Sequence, residues 1–520
     1  MNEIQSVKTN IGDWLARRAL LTPDREAYVD GLTLERVSFA ELNNRSCKLA
    51  NAFLADGIKK EERVGLLLEN CAEFMESYFA LAKIGAVVVP LNWRLVADEL
   101  EFILKDSGTT RLIFGTTFLP VVEDLYSRGE KTLVRQWIQL GEATTAAHFA
   151  EEYEGLREQG QEVEPNLDVG NDDLLYIMYT SGTTGLPKGV VHTHNTVAWA
   201  IFTFMATLNV REDDRYFSPM PMFHVGALSP LTLMVYKGVT SVVMHSFDPI
   251  HAWRLIELER ATFGLLVPAM LNFMLTVGDV RQFNFSSLRF LLTGAAPVPD
   301  ALLEAYDELG VPLVICYGLT ESCGPASVMD ERNILRKIGS AGRPFFHTDL
   351  RVVRPDGTEC AVNESGEVLV RGHHIMLRYW NRPEATEETI VDGWLHTGDI
   401  ARKDDEGFIY IHDRKKDMII SGGENVYPAE IENLLQEHPE ILESAVIGQP
   451  SEKWGESPLA IVVRNSADLQ EADVLNFLQT KIARYKLPYG VVFVESIPRN
   501  PSGKILKWAL REQFPGPAPI

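Results

Sequence analysis

Short apolar runs alternate with amphipathic segments between residue 34 and about residue 400. RVGLLL (63–68), GAVVVPL (85–91) and DLLYIMYT (173–180) are apolar on both faces, which predicts buried strands of mostly parallel sheets. The same character is found in TSVVMH (240–245), FGLLVP (263–268), LRFLLTG (288–294) and PLVICYG (312–318). CAEFMESYFALAKIG (71–85) has the pattern of an amphipathic helix. The alternation predicts an α/β body built in layers.

The pattern changes after Asp399. IARKDDEGFIYIHDR (400–414) predicts two alternating strands joined by a polar turn that ends in Gly407, which is a hairpin. A predicted helix, PAEIENLLQEHP (428–439), then opens a tail of alternating strands and helices. We therefore expect a large N-terminal domain over residues 1–414 with mostly parallel sheets, a hinge at 415–416, and a small mobile α+β domain over 417–520.

Composition narrows the classes of partner. A chain of 520 residues with 46% apolar residues predicts a globular protein of more than one domain. Lys and Arg number 49 against 72 Asp and Glu, a net charge of −23, which disfavours nucleic acid and anionic lipid as partners. We see no secretory signal and no apolar run of the roughly 18 residues that a membrane span needs. Five scattered cysteines suggest reduced thiols and a cytoplasmic protein.

The stretch YTSGTTGLPKGVVHTH (179–194) concentrates glycines, hydroxyl groups and one lysine. It follows a predicted strand and precedes a predicted helix from Thr193. Glycines let backbone N–H groups converge on an anion, and Lys188 adds positive charge, so a phosphate chain is the simplest ligand. The spacing is not that of a Walker A loop, because Gly189 stands where that loop has Ser or Thr. A flexible surface loop is the alternative.

YTSGTTGLPKGV resembles the phosphate-loop signature of the adenylate-forming superfamily, which includes acyl-CoA synthetases, aryl-CoA ligases, luciferases and peptide-synthetase adenylation domains. Four more signatures resemble those of the family in the same order: YGLTES (317–322), GWLHTGDI (393–400), DRKKDMIISGGE (413–424) and NPSGKILK (500–507). The resemblance implies an ATP-dependent acyl-CoA ligase. A carboxylic acid and ATP give acyl-AMP and pyrophosphate with Mg²⁺. The thiol of coenzyme A then gives acyl-CoA and AMP after a rotation of the small domain.

The resemblance also implies the nucleotide site. Tyr317 matches the aromatic residue that stacks on adenine, and Asp399, assisted by Arg414, matches the acceptor of both ribose hydroxyls. Glu321 matches the Mg²⁺ ligand, although from the residues alone it could also cap a helix. Thr320 matches the hydroxyl that contacts phosphate. The full set implied for ATP and AMP is Thr180, Ser181, Gly182, Thr183, Thr184, Gly185, Lys188, Gly294, Ala295, Ala296, Tyr317, Gly318, Thr320, Asp399 and Arg414.

Lys504 matches the catalytic lysine, which acts with Thr320 and Glu321. Its ammonium group would bridge the substrate carboxylate and the α-phosphate and offset their repulsion. Lys416 matches the hinge position. The face for thioester formation comprises Gly422, Gly423, Glu424 and Lys486. A group of basic residues around this face predicts contacts to CoA phosphates, or alternatively a solvated basic surface: Arg414, Lys415, Lys416, Arg484 and Lys486.

The sequence specifies the carboxylic acid substrate less well than the nucleotide. MPMFHVGAL (220–228) resembles the acyl-pocket segment of CoA ligases, so His224, Val225 and Gly318 are the predicted acyl-pocket residues, with a core histidine as the alternative for His224. Glycine at 318 replaces the bulky aromatic residue of acetate-specific relatives. We therefore expect a medium or long fatty acid, or an aromatic one, and a monomer or homodimer. Alternatives are adenylate transfer to a separate carrier protein, luciferase-like oxidation, and a non-catalytic nucleotide-binding protein.

Overall fold

The computed structural model describes residues 9–141, 147–180, 186–295, 298, 300–414, 419–426, 428–498, 505 and 507–516. These residues form two compact units. The first contains described residues within 1–93, 104–179 and 189–412, and the second contains those within 94–103, 180–188 and 413–520.

The helices are α1 Ile11–Leu21, α2 Phe39–Ala55, α3 Ala72–Ile84, α4 Ala97–Ser107, α5 Leu119–Ser127, α6 Tyr153–Glu158, α7 His194–Thr207, α8 Val225–Lys237, α9 Pro249–Glu259, α10 Pro268–Leu275, α11 Asp300–Glu308, α12 Pro383–Thr389, α13 Pro428–Gln436, α14 Glu471–Gln479 and α15 Lys507–Gln513. No helix in the described part of the chain is both long enough and apolar enough to cross a membrane.

The strands are β1 Glu26–Asp30, β2 Arg36–Ser38, β3 Arg63–Leu67, β4 Val87–Pro90, β5 Thr109–Gly115, β6 Gln136–Leu140, β7 Glu151–Glu152, β8 Leu174–Thr180, β9 Lys188–Thr193, β10 Arg215–Ser218, β11 Thr240–Val243, β12 Phe263–Leu266, β13 Phe290–Gly294, β14 Leu313–Tyr317, β15 Ser327–Met329, β16 Arg343–Pro344, β17 Asp349–Val353, β18 Ser365–Arg371, β19 Arg378–Tyr379, β20 Ile390–Val391, β21 Trp394–Lys403, β22 Ile409–Arg414, β23 Ile419–Ser421, β24 Glu424–Val426, β25 Ile441–Ser451, β26 Gly455–Arg464 and β27 Gly490–Phe493.

The first unit contains three sheets. A nine-stranded sheet has the order β16-β15-β14-β13-β12-β10-β11-β1-β2, and its strands from β14 to β1 run parallel. An eight-stranded sheet has the order β19-β9-β8-β4-β3-β5-β6-β7 and is parallel from β8 to β7. The third sheet, β17-β18-β21-β20 with β22 beside β21, is antiparallel where its register is defined. In the first sheet the carboxyl ends of the parallel strands lie along one edge, where Ser218, Gly294 and Tyr317 end their strands.

Both faces of the nine-stranded sheet are covered. On one face, Tyr216 and Phe263 pack in a core with Leu228 of α8 and Val197 of α7. On the other face, Leu291 packs in a second core with residues of α9 and α11. Burial on both faces explains why these strands are continuous apolar runs, and it confirms the prediction of buried parallel strands.

The other predicted elements are also found. The seven apolar runs form β3, β4, β8, β11, β12, β13 and β14, and residues 71–85 contain α3. β21 and β22 form the predicted hairpin. Helix α7 begins after Thr193, whose side chain accepts a hydrogen bond from the backbone N–H of Thr196. The prediction missed β9, which lies between the glycine-rich loop and α7. Its register depends on β19, about 190 residues away, where Val190 pairs with Tyr379.

The second unit is α+β, as predicted. Its sheet has the order β24-β23-β26-β25, with β27 parallel to β26. Ile431 and Leu435 of α13 pack in one core with Val446 of β25, and Leu510 of α15 packs in another with Ala445. The domain boundary at residue 414 and the hinge at 415–416 stay predictions.

Candidate adenylation site

Tyr317 and Asp399 meet at the carboxyl edge of the nine-stranded sheet. Tyr317 ends β14, and its Oη donates a 2.6 Å hydrogen bond to Oδ2 of Asp399 in β21. The Asp399 residue is only 2% exposed, so the bond to its carboxylate is shielded from water. The structure thus brings together the two residues predicted to contact adenine and ribose, which stand 82 positions apart in the sequence.

Glu367 of β18 stabilises the turn that carries Asp399 by accepting a backbone hydrogen bond from it. Gly398, with φ of +72°, donates its backbone N–H to Glu367 Oε1 at 3.2 Å. Thr397 Oγ1 donates to the carbonyl of Val368 at 2.8 Å and accepts from the N–H of Asp399 at 3.0 Å. Local sequence patterns do not indicate Glu367, because its partner Gly398 comes from a neighbouring strand.

Thr320 and Glu321 follow β14 in a short 3-10 helix, Thr320–Ser322. Tyr379 Oη donates a 2.7 Å hydrogen bond to Glu321 Oε1, and the N–H of Met376 donates to the carbonyl of Glu321 at 2.8 Å. The carboxylate is therefore oriented by a tyrosine that sequence reasoning missed. Tyr379 stands next to Trp380 at the end of the two-residue strand β19, and nothing in that local pattern distinguishes it.

His192 supports the same turn. Its Nε2 lies 2.8 Å from the carbonyl oxygen of Thr320 and its Nδ1 lies 3.1 Å from Thr196 Oγ1. Burial lowers the pKa of His192 to about 4, so the ring is neutral at physiological pH and donates from Nε2 to the carbonyl. The sequence prediction did not include this residue.

The chemistry around Glu321 fits Mg²⁺ held largely by phosphate and water. Among the described residues, no group of three or more His, Cys, Asp or Glu side chains could hold a metal ion by itself. Mg²⁺ in nucleotide sites is commonly bound through one or two carboxylates together with substrate phosphates. A single oriented carboxylate at a strand end is such a donor.

Gly294 and Ala295 form the turn after β13. A Cβ at Gly294 would lie 2.1 Å from the carbonyl oxygen of Cys316, so a larger residue would push β13 and β14 apart. Ala295 has φ of +66° and is exposed. A larger residue at Gly294 could therefore not be accommodated without rearrangement of the turn.

The glycine-rich loop is described only at its ends. Thr180 closes β8 and Lys188 opens β9, and Thr180 Oγ1 lies 3.5 Å from the carbonyl oxygen of Lys188. Just before the loop, Tyr179 Oη donates a 2.7 Å hydrogen bond to Asp106 Oδ2, and Arg382 pairs with the same carboxylate. These contacts anchor the strand from which the loop departs.

His224 and Val225 begin α8, with His224 at its N-cap position. Asn70 holds the segment before them, since its amide donates to the carbonyls of Met220 and Met244 at 2.9 Å each. Its Oδ1 accepts from the N–H of Met222 at 2.8 Å. The chain thus enters α8 in a fixed position.

Gly318 does not face open space. A Cβ at this position would lie 1.5 Å from the carbonyl oxygen of Gly324. The expectation that glycine at 318 leaves room for a longer acid is therefore wrong. The backbone of residues 324–326 occupies the space that a side chain at this position would enter. A role of the Gly318 backbone in the acyl pocket stays a prediction.

In the second unit, Gly422 and Gly423 form the two-residue turn between β23 and β24. Both have positive φ, +59° and +83°, as a type I′ hairpin turn requires. A Cβ at Gly422 would also lie 2.8 Å from the Trp454 ring. The next residue, Glu424, is buried and forms an ion pair with Arg94.

Lys486 is buried rather than displayed on a basic surface. Its ammonium group forms ion pairs with Glu99 and, at 2.7 Å, with Glu430. Burial raises the pKa of Glu430 to about 7, an effect that the Lys486 charge partly offsets. The proposed contact of Lys486 with CoA stays a prediction, and in this structure two carboxylates hold its charge.

Several predicted residues lie outside the described residues, and the structure gives no geometry for them. They are Ser181, Gly182, Thr183, Thr184, Gly185, Ala296, Lys415, Lys416 and Lys504, together with the side chain of Arg414.

Comparison with known proteins defines the class. The family profile described as AMP-binding enzyme matches residues 15–380, and the profile of the AMP-binding enzyme C-terminal domain matches residues 430–504. The chain therefore belongs to the AMP-binding enzyme family, the adenylate-forming enzymes. Within it, the chain is an acyl-CoA ligase, an acid–thiol ligase of the AMP-forming type.

The relatives cover nearly the whole chain. Long-chain-fatty-acid–CoA ligase FadD13 of Mycobacterium tuberculosis is 45% identical over 98% of this chain and 99% of its own length. Feruloyl-CoA synthase of an Amycolatopsis species is 38% identical over 97% and 99%. Among solved structures, a double mutant of o-succinylbenzoate CoA synthetase from Bacillus subtilis, bound to a product analogue, is 33% identical with a TM-score of 0.87, covering 97% of this chain and 98% of that one.

Proposed function

We propose that this ligase activates a fatty or aromatic carboxylic acid with ATP and Mg²⁺ and transfers the acyl group to coenzyme A, with the Tyr317–Asp399 pair as the nucleoside site. The 2.6 Å bond between these residues is the observation that carries the proposal. It fixes a carboxylate with two acceptor oxygens, suited to a pair of ribose hydroxyls, beside an aromatic ring suited to the base.

In the first step a carboxylate oxygen of the acid attacks the α-phosphorus of ATP, and pyrophosphate leaves. Two anions must approach, so positive charge has to offset their repulsion. In this proposal the ammonium groups of Lys504 and Lys188 contribute that charge. Glu321, oriented by Tyr379, would hold the Mg²⁺, and Thr320 would contact phosphate. A metal ion held there would act as a Lewis acid that offsets phosphate charge.

In the second step the sulfur of coenzyme A, having lost its proton, attacks the carbonyl carbon of the acyl adenylate, and AMP leaves. Gly422, Gly423 and Glu424 are proposed to line the route of the thiol, and Lys416 to act as the hinge between the two half-reactions. The ordered turn at Gly422–Gly423 supports this assignment, because it presents backbone without side chains.

His224 and Val225 are proposed to face the acyl group at the start of α8. The names of the relatives, a long-chain fatty-acid ligase and a feruloyl-CoA synthase, support a fatty or aromatic acid. The five cysteines are free thiols, which supports action in a reducing compartment, the cytoplasm. We further propose a monomer or homodimer.

The test is acid-dependent nucleotide turnover with purified protein. We expect AMP and pyrophosphate, not ADP, from ATP when a fatty or aromatic acid is present, and acyl-CoA only when coenzyme A is added. Formation of ADP would contradict the proposal. AMP formation that is insensitive to coenzyme A but stimulated by an acyl carrier protein would favour a carrier-loading enzyme.

A further inference from the structure

One short segment belongs to the second unit although its neighbours in the sequence belong to the first. Residues 94–103 contain Arg94 and the start of α4, whereas the described residues within 1–93 and 104–179 lie in the first unit. Arg94 forms an ion pair with Glu424, and Glu99 forms one with Lys486. Glu424 and Lys486 are the two charged residues of the face proposed for thioester formation. One segment therefore pairs with both charged groups of that face.

Glu99 uses both of its carboxylate oxygens in this contact. Its Oε1 accepts from the ammonium group of Lys486, and its Oε2 accepts from the backbone N–H of Ala483 at 3.2 Å. Oε2 also accepts from the N–H of Val96 at 3.1 Å, as a glutamate in the first turn of a helix does in a capping box. Ala483 precedes the short 3-10 helix Arg484–Lys486. Glu99 thus joins the first turn of α4 to both ends of this 3-10 helix.

The pair of Glu99 and Lys486 is shielded from water. The side chain of Lys486 is 3% exposed and that of Glu99 is 9% exposed. Loss of one partner from a buried ion pair is normally costly, because the other charge is left uncompensated. Lys486 avoids this cost, since Glu430 of α13 also lies 2.7 Å from its ammonium group. Lys486 therefore keeps a carboxylate partner when Glu99 departs, which suits a contact that opens and closes.

The pair of Arg94 and Glu424 gives the segment a second point of attachment. Glu424 begins β24 directly after the Gly422–Gly423 turn, and its side chain is 8% exposed. The Arg94 side chain is 29% exposed, so we expect a smaller contribution from this pair than from Glu99. Attachment to the turn and to the 3-10 helix together fixes an orientation, which a single ion pair would not do.

The two ion pairs cannot persist through both half-reactions of the proposed function. In that function the residues after the hinge at Lys416 rotate relative to those before it. Arg94 and Glu99 precede the hinge in the sequence, whereas Glu424 and Lys486 follow it. The pairs therefore belong to one of the two arrangements. Because they engage the face proposed for thioester formation, that arrangement is the one for the second step.

We propose that Arg94 and Glu99 form a latch, with Glu424 and Lys486 as its partners, that stabilises the arrangement used for thioester formation. The inference rests on the proposed function and adds two positioning residues to its second step. Their role is to orient the Gly422–Gly423 turn, not to contact the reacting atoms. Opening of the latch precedes the next round of acyl-AMP formation.

The experiment measures the two half-reactions of the full chain separately, with an acid that the wild-type protein uses. Pyrophosphate release in a single turnover reports acyl-AMP formation, and acyl-CoA formation is followed from supplied acyl-AMP at saturating coenzyme A. Glu99→Gln removes the charge but leaves an oxygen that can accept from the backbone. We expect thioester formation to slow by about fivefold or more, because a smaller fraction of the protein is in the required arrangement. The rate of acyl-AMP formation should be kept or increased.

Arg94 provides a second test with a conservative variant. Arg94→Gln should slow thioester formation by about threefold, as expected for a partly exposed ion pair. Arg94→Lys keeps the charge beside Glu424 and should restore most of the lost rate. Glu437→Gln is the matched control, because it removes an exposed ion pair with Lys481 inside the second unit. This control should change neither half-reaction.

The outcomes separate the two proposals. Equal losses in both half-reactions, an unchanged rate of thioester formation, or a loss confined to acyl-AMP formation would overturn the latch alone. A higher KM for coenzyme A with an unchanged rate at saturation would indicate a contact with coenzyme A and would also overturn the latch. No acid-dependent AMP from the wild-type protein with any acid would overturn the proposed function and the latch with it. If Glu99→Gln fails to fold, Arg94→Gln and Arg94→Lys still decide.

Discussion

Tyr317 Oη donates a 2.6 Å hydrogen bond to Oδ2 of Asp399, across two strands that belong to different sheets. The bond orients a buried carboxylate and an aromatic ring at once. Each residue by itself is ordinary: a tyrosine at the end of a strand and an aspartate after a glycine. Their contact makes them a candidate nucleoside site.

Removing the phenolic hydroxyl should weaken ATP binding while keeping the ring. We expect Tyr317→Phe to raise KM for ATP by about five- to tenfold, because a hydrogen bond to a charged group contributes about 1.5–3 kcal/mol and water can replace part of it. Steady-state kinetics at saturating acid checks this. Tyr410→Phe is the matched control. Tyr410 lies in β22, in the same sheet as Asp399, and its Oη lies 3.4 Å from Oδ2 of Asp404 in the turn after β21. Equal effects in both variants would contradict the assignment.

Tyr379→Phe should raise the Mg²⁺ concentration needed for half-maximal pyrophosphate formation by about threefold or more, because Glu321 Oε1 loses the group that orients it. The thermal midpoint should change much less than the metal requirement. Titration of Mg²⁺ at fixed ATP measures this, with Tyr306→Phe as the control. An unchanged Mg²⁺ requirement would show that Tyr379 has no role in orienting Glu321 for the metal ion.

Gly318→Ala should abolish activity towards acids of every length, since its Cβ would lie 1.5 Å from the carbonyl oxygen of Gly324 and the turn would have to move. Gly226→Ala is the matched control, because the nearest atoms to its Cβ are 3.9 Å away. Assays with acids of increasing length distinguish the cases. A folded Gly318→Ala variant that merely shifts preference to shorter acids would contradict the backbone explanation.

Lys504→Ala should lower the rate of acyl-AMP formation by about 10²-fold or more and spare thioester formation from supplied acyl-AMP. The positive charge of Lys504 is needed only while the substrate carboxylate and the α-phosphate approach each other. The two half-reactions are measured separately, with Lys481→Ala as a surface control. Equal losses in both half-reactions would contradict the assignment.

Three buried histidines predict acid sensitivity. Burial lowers the pKa of His192, His194 and His374 to about 4 each, against 6.5 for an unperturbed imidazole. The unfolded chain therefore binds more protons between these pH values, so the free energy of unfolding is fully developed above pH 6.5 and falls as pH decreases towards 4. At about 1.4 kcal/mol per pKa unit, each ring accounts for roughly 3 kcal/mol over the window.

Urea unfolding at pH 7.5, 6 and 5 measures how the free energy of unfolding changes with pH. His194→Asn should reduce this slope by the equivalent of about one bound proton, because an amide does not titrate. The amide oxygen can replace His194 Nδ1 as the acceptor of the N–H of Ile11, a bond of 2.9 Å. Replacement of an exposed histidine, His148→Asn, is the control. An identical slope in wild type and His194→Asn would show that this ring is not the source.

Much of the architecture follows from local sequence. Runs such as 63–68 and 288–294 are apolar at every position because both faces of their strands are covered, and that pattern is visible without coordinates. The hairpin of 400–414 and the start of α7 at Thr193 are set by turn and capping residues within a few positions. The ordered signatures from 179 to 507 likewise indicate the family and the chemistry.

The tertiary structure decided what depends on contacts between distant segments. The sequence alone determined the class of enzyme, the α/β architecture and the candidates Tyr317, Glu321 and Asp399. Only the fold showed that Tyr379 orients Glu321, and that the Gly324 carbonyl fills the space beside Gly318. The physical reason is that periodicity and turn chemistry act over a few residues, whereas a hydrogen bond or a steric limit depends on which strands become neighbours.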